Sequence, residues 1–282
     1  MKNAFSINVT TNENGADKFK VKKLSEELTR RKEQSENTIT DITRAASIPR
    51  WLEWVAIILG GFGLIVFASL LEALTDVGFA TAYKNAGWLF YAGGASLIVA
   101  LIIFILRTYK KRTTLNSPAV RDTLSESERL VYRCYEDLGV PYDADDVDIF
   151  AEGFKTKNGK TKRAGMFFQY LNVACKIYRD GDNLYIADTD GVYAFPIVNF
   201  TGIVAVKKNA TFNCWTKQQP FNKPPYKQYK VRHNNYGMFF VKPYYSVRFT
   251  ALNEEYEIVI PSYEMDTLQK YVTLNVVYEG RR

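Results

Sequence analysis

The chain holds 282 residues, with 37 Lys and Arg against 30 Asp and Glu, a formal charge of +7 and 47% hydrophobic residues. Cys134, Cys175 and Cys214 are widely spaced, form no Cys-x-x-Cys pair and meet a single histidine, which excludes a disulfide framework and a zinc site. The basic excess leaves two acidic surfaces to weigh, nucleic acid and the inner leaflet of a membrane.

Residues 1–16 are polar and rich in Asn and Thr, which predicts a mobile start. From Asp17 to Ala46 the pattern turns helical, with Val21, Leu24, Leu28, Ile39 and Ile42 near one stripe. The heptad fails at Arg31 and Ser35, so a solvated helix on the membrane or on another domain is expected rather than a self-associating coiled coil. Residues 1–50 thus form a charged N-terminal helix region, ended by Pro49. They hold no signal-peptide core, so the first apolar run is expected to act as an uncleaved anchor.

Residues 51–106 carry two apolar runs. Trp54–Leu71 is 18 residues and Ala86–Leu106 is 21, neither containing Asp, Glu, Lys, Arg or His. A helix of that length covers about 30 Å of hydrocarbon, so a transmembrane hairpin with spans at about 52–71 and 86–106 is predicted. Arg30, Arg31, Lys32, Arg44 and Arg50 precede it, and Arg107, Lys110, Lys111 and Arg112 follow. The connection "EALTDVGFATAYKN" holds only Lys84 against Glu72 and Asp76. The positive-inside rule therefore expects a multi-pass protein of the cell membrane, both termini cytoplasmic, with a short outer loop. Trp51, Trp54, Trp88 and Tyr91 fall near the span ends, at headgroup level. Ala56 and Gly60, then Ala92, Ser96 and Ala100, offer small-residue notches for packing the hairpin on itself or on a second copy. The fragment "TDVGFA" has a passing likeness to a potassium filter, but the connection is too short for a pore helix and re-entrant strand.

Residues 107–145 read as a basic linker and a helix. Ser125 and Glu128 have capping-box spacing for "ESERLVYRCYEDL", and Gly139 ends it. The acidic turn Asp143, Asp145, Asp146 and Asp148 departs from a calcium loop, because Val147, Asp148 and Phe154 take the places that need an oxygen ligand, a glycine and a glutamate.

Residues 146–282 read as strands. Asn158-Gly159 between "FKTK" and "KTKR" predicts a two-residue hairpin, and Asp180-Gly181 and Asp190-Gly191 punctuate "NVACKIYR", "NLYIAD" and "GVYAFPI". "GIVAVKK", "ATFNCW", "GMFFVKP", "YYSVRFTAL" and "EYEIVIP" follow, and "SYEMDTLQKYVTL" reads as a closing helix. An antiparallel sheet that curls and is plugged by that helix is the simplest arrangement.

The stretches "NLYIADTDGVYAFPIVNFTGIVAV" and "YEIVIPSYEMDTLQKYV" resemble the pleckstrin-homology-like (PH-like) family in its bacterial and GRAM-type members. In the first, a strand ends at Pro196 and Ile203 begins the next, as in those members; in the second, the last strand runs straight into the closing helix. The resemblance implies an α+β cytoplasmic domain, an antiparallel β-barrel closed by a C-terminal helix, serving as a binding scaffold. The long Thr216–Tyr229 loop departs from the family, and phosphoinositide binding is not carried over.

Between Gly191 and Asn253 there is no Asp or Glu, while Lys207, Lys208, Lys217, Lys223, Lys227, Lys230, Arg232, Lys242 and Arg248 fall there. Trp215, Phe221, Tyr226, Tyr229, Tyr236, Phe239, Phe240, Tyr244 and Tyr245 are interleaved. Lys155, Lys157, Lys160, Lys162 and Arg163 form a second basic cluster. On a domain tethered to the bilayer these residues are expected to meet the anionic headgroups of the lipid bilayer, or an acidic protein partner. Single-stranded nucleic acid would suit basic and aromatic residues too, but no RNA-binding motif is present, so no nucleic acid is expected. No nucleophile elbow, phosphate loop or metal spacing is found, and His233 stands alone in "VRHNNYG", so neither an enzyme nor a cofactor is expected. The resulting expectation is recruitment, scaffolding or regulation at the inner leaflet, the alternative being an accessory subunit of a membrane transport or secretion complex.

Overall fold

A computed structural model describes the chain apart from residues 12, 158–159, 165–167, 214–220, 222–223, 225, 235–237 and 279–282. The strands are β1 (Lys2–Asn3), β2 (Ile7–Asn8), β3 (Glu13–Asn14), β4 (Lys20–Lys23), β5 (Asp145–Ala151), β6 (Gly153–Lys157), β7 (Lys160–Arg163), β8 (Tyr170–Asp180) and β9 (Asn183–Ala187). They continue as β10 (Gly191–Pro196), β11 (Phe200–Val206), β12 (Ala210–Asn213), β13 (Arg232–His233), β14 (Met238–Val241), β15 (Tyr244–Ala251), β16 (Glu254–Pro261) and β17 (Val276–Tyr278). The helices are α1 (Glu26–Ala46), α2 (Arg50–Val77), α3 (Phe79–Leu115), α4 (Pro118–Asp137) and α5 (Met265–Gln269). Two compact units result, Met1–Thr29 with Val131–Arg282, and Arg30–Leu130.

In the helical unit, α2 and α3 pack antiparallel through small residues. A Cβ on Gly60 would meet the Ala100 Cβ at 3.7 Å, one on Gly63 would press on Leu97 and Ser96, and one on Gly93 on Val66. Glycine at the last two positions is what lets the backbones approach. Among the described residues, two helices are long and apolar enough to cross a membrane. Their outward side chains are apolar, with Ile58, Ile65, Leu101 and Phe104 all more than half exposed. The loop expected between the runs is instead helical on both sides of Gly78, whose φ of +77° makes the turn, and α3 breaks once at Ala86. Extending a formed helix costs less than starting one, so Glu72, Ala73 and Lys84 join the helices that flank them.

The basic linker expected from residue 107 also differs, since α3 runs through its basic cluster to Leu115. The expected capping box is displaced: Ser125 and Glu128 lie inside α4, and Ser117 precedes Pro118 at its start. The Ser117 Oγ accepts the Val120 N–H at 3.4 Å, and proline at the first helical position loses nothing, because that N–H has no partner there. Gly139, φ +67°, ends the helix as expected, with the Val140 N–H on the Tyr135 carbonyl and the Gly139 N–H on that of Glu136.

The sheet unit follows the alternation in its strands. On β5, Val147, Ile149 and Ala151 enter one apolar cluster and Phe150 enters another; on β16, Ile258 and Ile260 divide from Val259 in the same way. Side chains alternate across a strand, so the central strands are buried on both faces. The main sheet runs β13-β14-β12-β8-β5-β16-β15-β11-β17, with β9 on β8, and β10 on β9 and β4. Among the described residues nothing pairs β13 with β17, so the sheet is open. That corrects the expected closed barrel. The plugging helix is corrected as well: Ser262–Glu264 is a 3-10 turn, α5 has five residues, and the chain then adds β17 parallel to β11.

The expected mobile start is overturned. β1 pairs with β16, β2 with β6 and β4 with β10. Ala4, Phe5 and Ala16 are fully buried. The Phe19 ring lies 5.1 Å from Phe195 and 5.2 Å from Tyr256. Asp17–Phe19 lie in a 3-10 turn and the helix starts only at Glu26, later than the pattern suggested. Met1–Thr29 therefore belong to the same unit as the C-terminal sheet, while most of α1 stays with the helical unit.

Candidate functional site

The β6–β7 ribbon brings the second basic cluster together. β2 anchors it through Ile7 opposite Gly153 and Asn8 opposite Phe154. The ribbon register puts Lys155 opposite Lys162, Thr156 opposite Thr161 and Lys157 opposite Lys160. Residues two apart share a face, so all four lysines stand on one side and the two threonines on the other. Thr156 and Thr161 meet through their hydroxyls at 3.4 Å. The four lysines are exposed, and none forms an ion pair among the described residues. Directly opposed like charges cost roughly 0.2–1 kcal/mol per pair, and this ribbon carries two such pairs. Arg163, on the threonine side, is instead neutralised by Glu152 at 2.8 Å. The Asn158-Gly159 turn lies outside the described residues, but the strands that flank it pair in the antiparallel sense expected.

The first basic group divides. Lys207 and Lys208 follow β11, the Lys207 ammonium lying 5.1 Å from the centroid of the Tyr278 ring. Lys227 sits in the 3-10 turn Tyr226–Tyr229, with Lys230 after it. Arg232 faces Phe240 across β13 and β14. Lys217 and Lys223 lie outside the described residues, as do Trp215, Tyr236 and Cys214. The aromatic half of the expected face is interior: Phe221 and Tyr244 are buried, and Tyr226, Tyr229 and Phe239 pack against the same cluster as Phe150, Phe212 and Tyr263. The basic half stays at the surface, because only the ammonium ends need water.

At the hairpin, Arg107 pairs with Glu53 at 3.3 Å, and the Lys110 ammonium donates to the Ser47 carbonyl at 2.9 Å. The basic flanks before α2 and after the second apolar run thus meet at one end of the hairpin, and Lys111 and Arg112 continue that helix. Cys134 and Cys175 are buried and not joined in a disulfide, and burial pushes the Cys175 thiol well up, which removes its nucleophilic form. His233 is exposed on a two-residue strand, with no acid or base placed beside it among the described residues.

No match was found for this chain among protein-family models, curated proteins or solved structures.

The basic cluster was legible in the sequence with Arg163 included, and the structure set Arg163 apart on the threonine side, paired with Glu152. The common face was implicit in the Asn-Gly signal, since a two-residue turn places Lys157 opposite Lys160 and carries Lys162 into register with Lys155.

Proposed function

We propose that the chain crosses the cell membrane twice, keeps both termini in the cytoplasm and holds its sheet unit at the inner leaflet as a binding scaffold of PH-like kind for recruitment or regulation. The four-lysine face of the ribbon carries the reading. Its two like-charge pairs are unfavourable alone and become favourable when acidic phospholipid headgroups lie against them, at about 1 kcal/mol per lysine near the surface. The topology has two supports. Residues on both sides of the hairpin pack into one unit, so they share a compartment, and Arg44, Arg50, Arg107, Lys110, Lys111 and Arg112 gather at one hairpin end while Glu72, Asp76 and Lys84 lie towards the other.

The full chain in phosphatidylcholine nanodiscs tests this. Wild type is expected to bind phosphatidylserine vesicles at low salt and release them as salt rises. Replacing Lys155, Lys157, Lys160 and Lys162 together by Gln should weaken binding at least about tenfold, given roughly 1 kcal/mol per charge. Unchanged binding by that variant removes the proposed role of the ribbon.

A further inference from the structure

A cleft of about 660 Å³ opens in the sheet unit between the Tyr226–Tyr229 turn, the Lys242-Pro243 bond that precedes β15, α5 and β17. Its size falls within the range of small-molecule sites. Tyr245 and Tyr278 contribute aromatic walls, and Lys230 and Lys242 bring ammonium groups; neither lysine forms an ion pair among the described residues. Ser262, only 7% exposed, lines the same cleft. Its carbonyl accepts the Met265 N–H, but its buried hydroxyl has no partner. Leaving a buried hydroxyl unsatisfied is unfavourable, so this one is suited to an acceptor that arrives with a ligand.

The charges about the cleft are unequal. Asp266 is its one carboxylate among the described lining residues, and it accepts the Tyr229 hydroxyl at 3.1 Å. Lys207 lies over the Tyr278 ring without lining the cleft itself. Lys230 takes a φ of +50°, which lysine seldom adopts, and its N–H bonds the Lys227 carbonyl at 3.3 Å, so the turn fixes where that side chain starts.

We propose that this cleft binds a small phosphate monoester with a flat, apolar body, at a site separate from the lysine ribbon. A phosphate monoester brings nearly two negative charges and three strong acceptor oxygens, to match Lys230, Lys242 and the Ser262 hydroxyl. A flat body suits the tyrosine walls.

Phenyl phosphate, inorganic phosphate and phenol, each titrated calorimetrically into the full chain in phosphatidylcholine nanodiscs, provide the test. Phenyl phosphate should bind more tightly than inorganic phosphate, and phenol should not bind. Lys230→Gln with Lys242→Gln should weaken phenyl phosphate at least tenfold, Ser262→Ala at least threefold, and Asp266→Asn should tighten it. The Gln-substituted ribbon should keep phenyl phosphate, which separates the two sites, and a thermal melt of the double variant by circular dichroism that matches wild type reports that the unit is folded. If wild type ignores phenyl phosphate, if phenol binds equally well, or if both the double variant and Ser262→Ala bind as wild type does, the proposal is overturned.

Discussion

Asp145, at the first position of β5, takes the Lys270 ammonium and the Tyr271 hydroxyl on one carboxylate oxygen, both at 2.8 Å. The Lys270 hydrogen bond does most to hold the Asp145 carboxyl below its ordinary value, while burial and then Asp145 push the Tyr271 hydroxyl up to about 12. A carboxyl whose folded value is depressed contributes stability above its unfolded value and loses it as pH falls through the folded one. Lys270→Ala should therefore cost about 0.3–1 kcal/mol at neutral pH, because the pair is partly exposed, and the gap from wild type should close on acidification. Thermal unfolding of the full chain followed by circular dichroism between roughly pH 7 and 3 measures it; a gap that widens in acid contradicts the assignment. Asp188 has the opposite sign. Burial raises its carboxyl although the Asp190 and Gly191 N–H groups and the Tyr193 hydroxyl all donate to it, so its charge costs stability at neutral pH that acid restores.

At the scale of elements, the α2–α3 register makes a strict prediction. The 3.7 Å between a Cβ at position 60 and that of Ala100 is close to the mean Cβ separation of about 3.8 Å in disulfides. In a chain with Cys134, Cys175 and Cys214 replaced by Ser, Gly60→Cys with Ala100→Cys should cross-link within one chain on mild oxidation, detected by a mobility shift on a denaturing gel. Gly61→Cys with Ala100→Cys should not, since a Cβ at position 61 has nothing within 4 Å. Cross-linking of the second pair alone would mean another register. Both helices could be read from run length and composition, and the notch residues Gly60, Ser96 and Ala100 do lie in the contact. Gly63 and Gly93, which permit the closest approach, fall outside the four-residue spacing and were not legible from it. The C-terminal helix failed for a related reason: "SYEMDTLQKYVTL" has helical composition, but five residues suffice to bury Met265 and Leu268 before Val276–Tyr278 are drawn to the exposed edge of β11.

At the scale of the whole molecule, the hairpin is inserted into the sequence of a unit that folds from both of its sides. Phe5 is 1% exposed, with its ring 5.5 Å from Tyr193. Loss of one such buried ring typically costs about 3–5 kcal/mol, much of a domain's stability. Residues 131–282 alone should then be poorly folded, and residues 1–29 joined to them by a flexible linker should restore a cooperative unit. Thermal melting of the two fragments compares them; an equally cooperative melt for residues 131–282 alone would show that the N-terminal strands only decorate the sheet.

The sequence by itself determined the two apolar helices, the strands between Phe154 and Pro261 other than Arg232–His233, and the Gly139 stop, because run length, alternation and a glycine of positive φ act within a few residues; the acidic turn expected at Asp143–Asp148 instead opens β5. Only the tertiary structure decided that Phe5, Ala16 and Phe19 close the core, that the sheet stays open, and that Ser262 shares a cleft with Lys230 and Lys242. Those contacts join residues far apart in the chain, and an apolar residue isolated among polar neighbours gives no local sign of the distant surface that buries it.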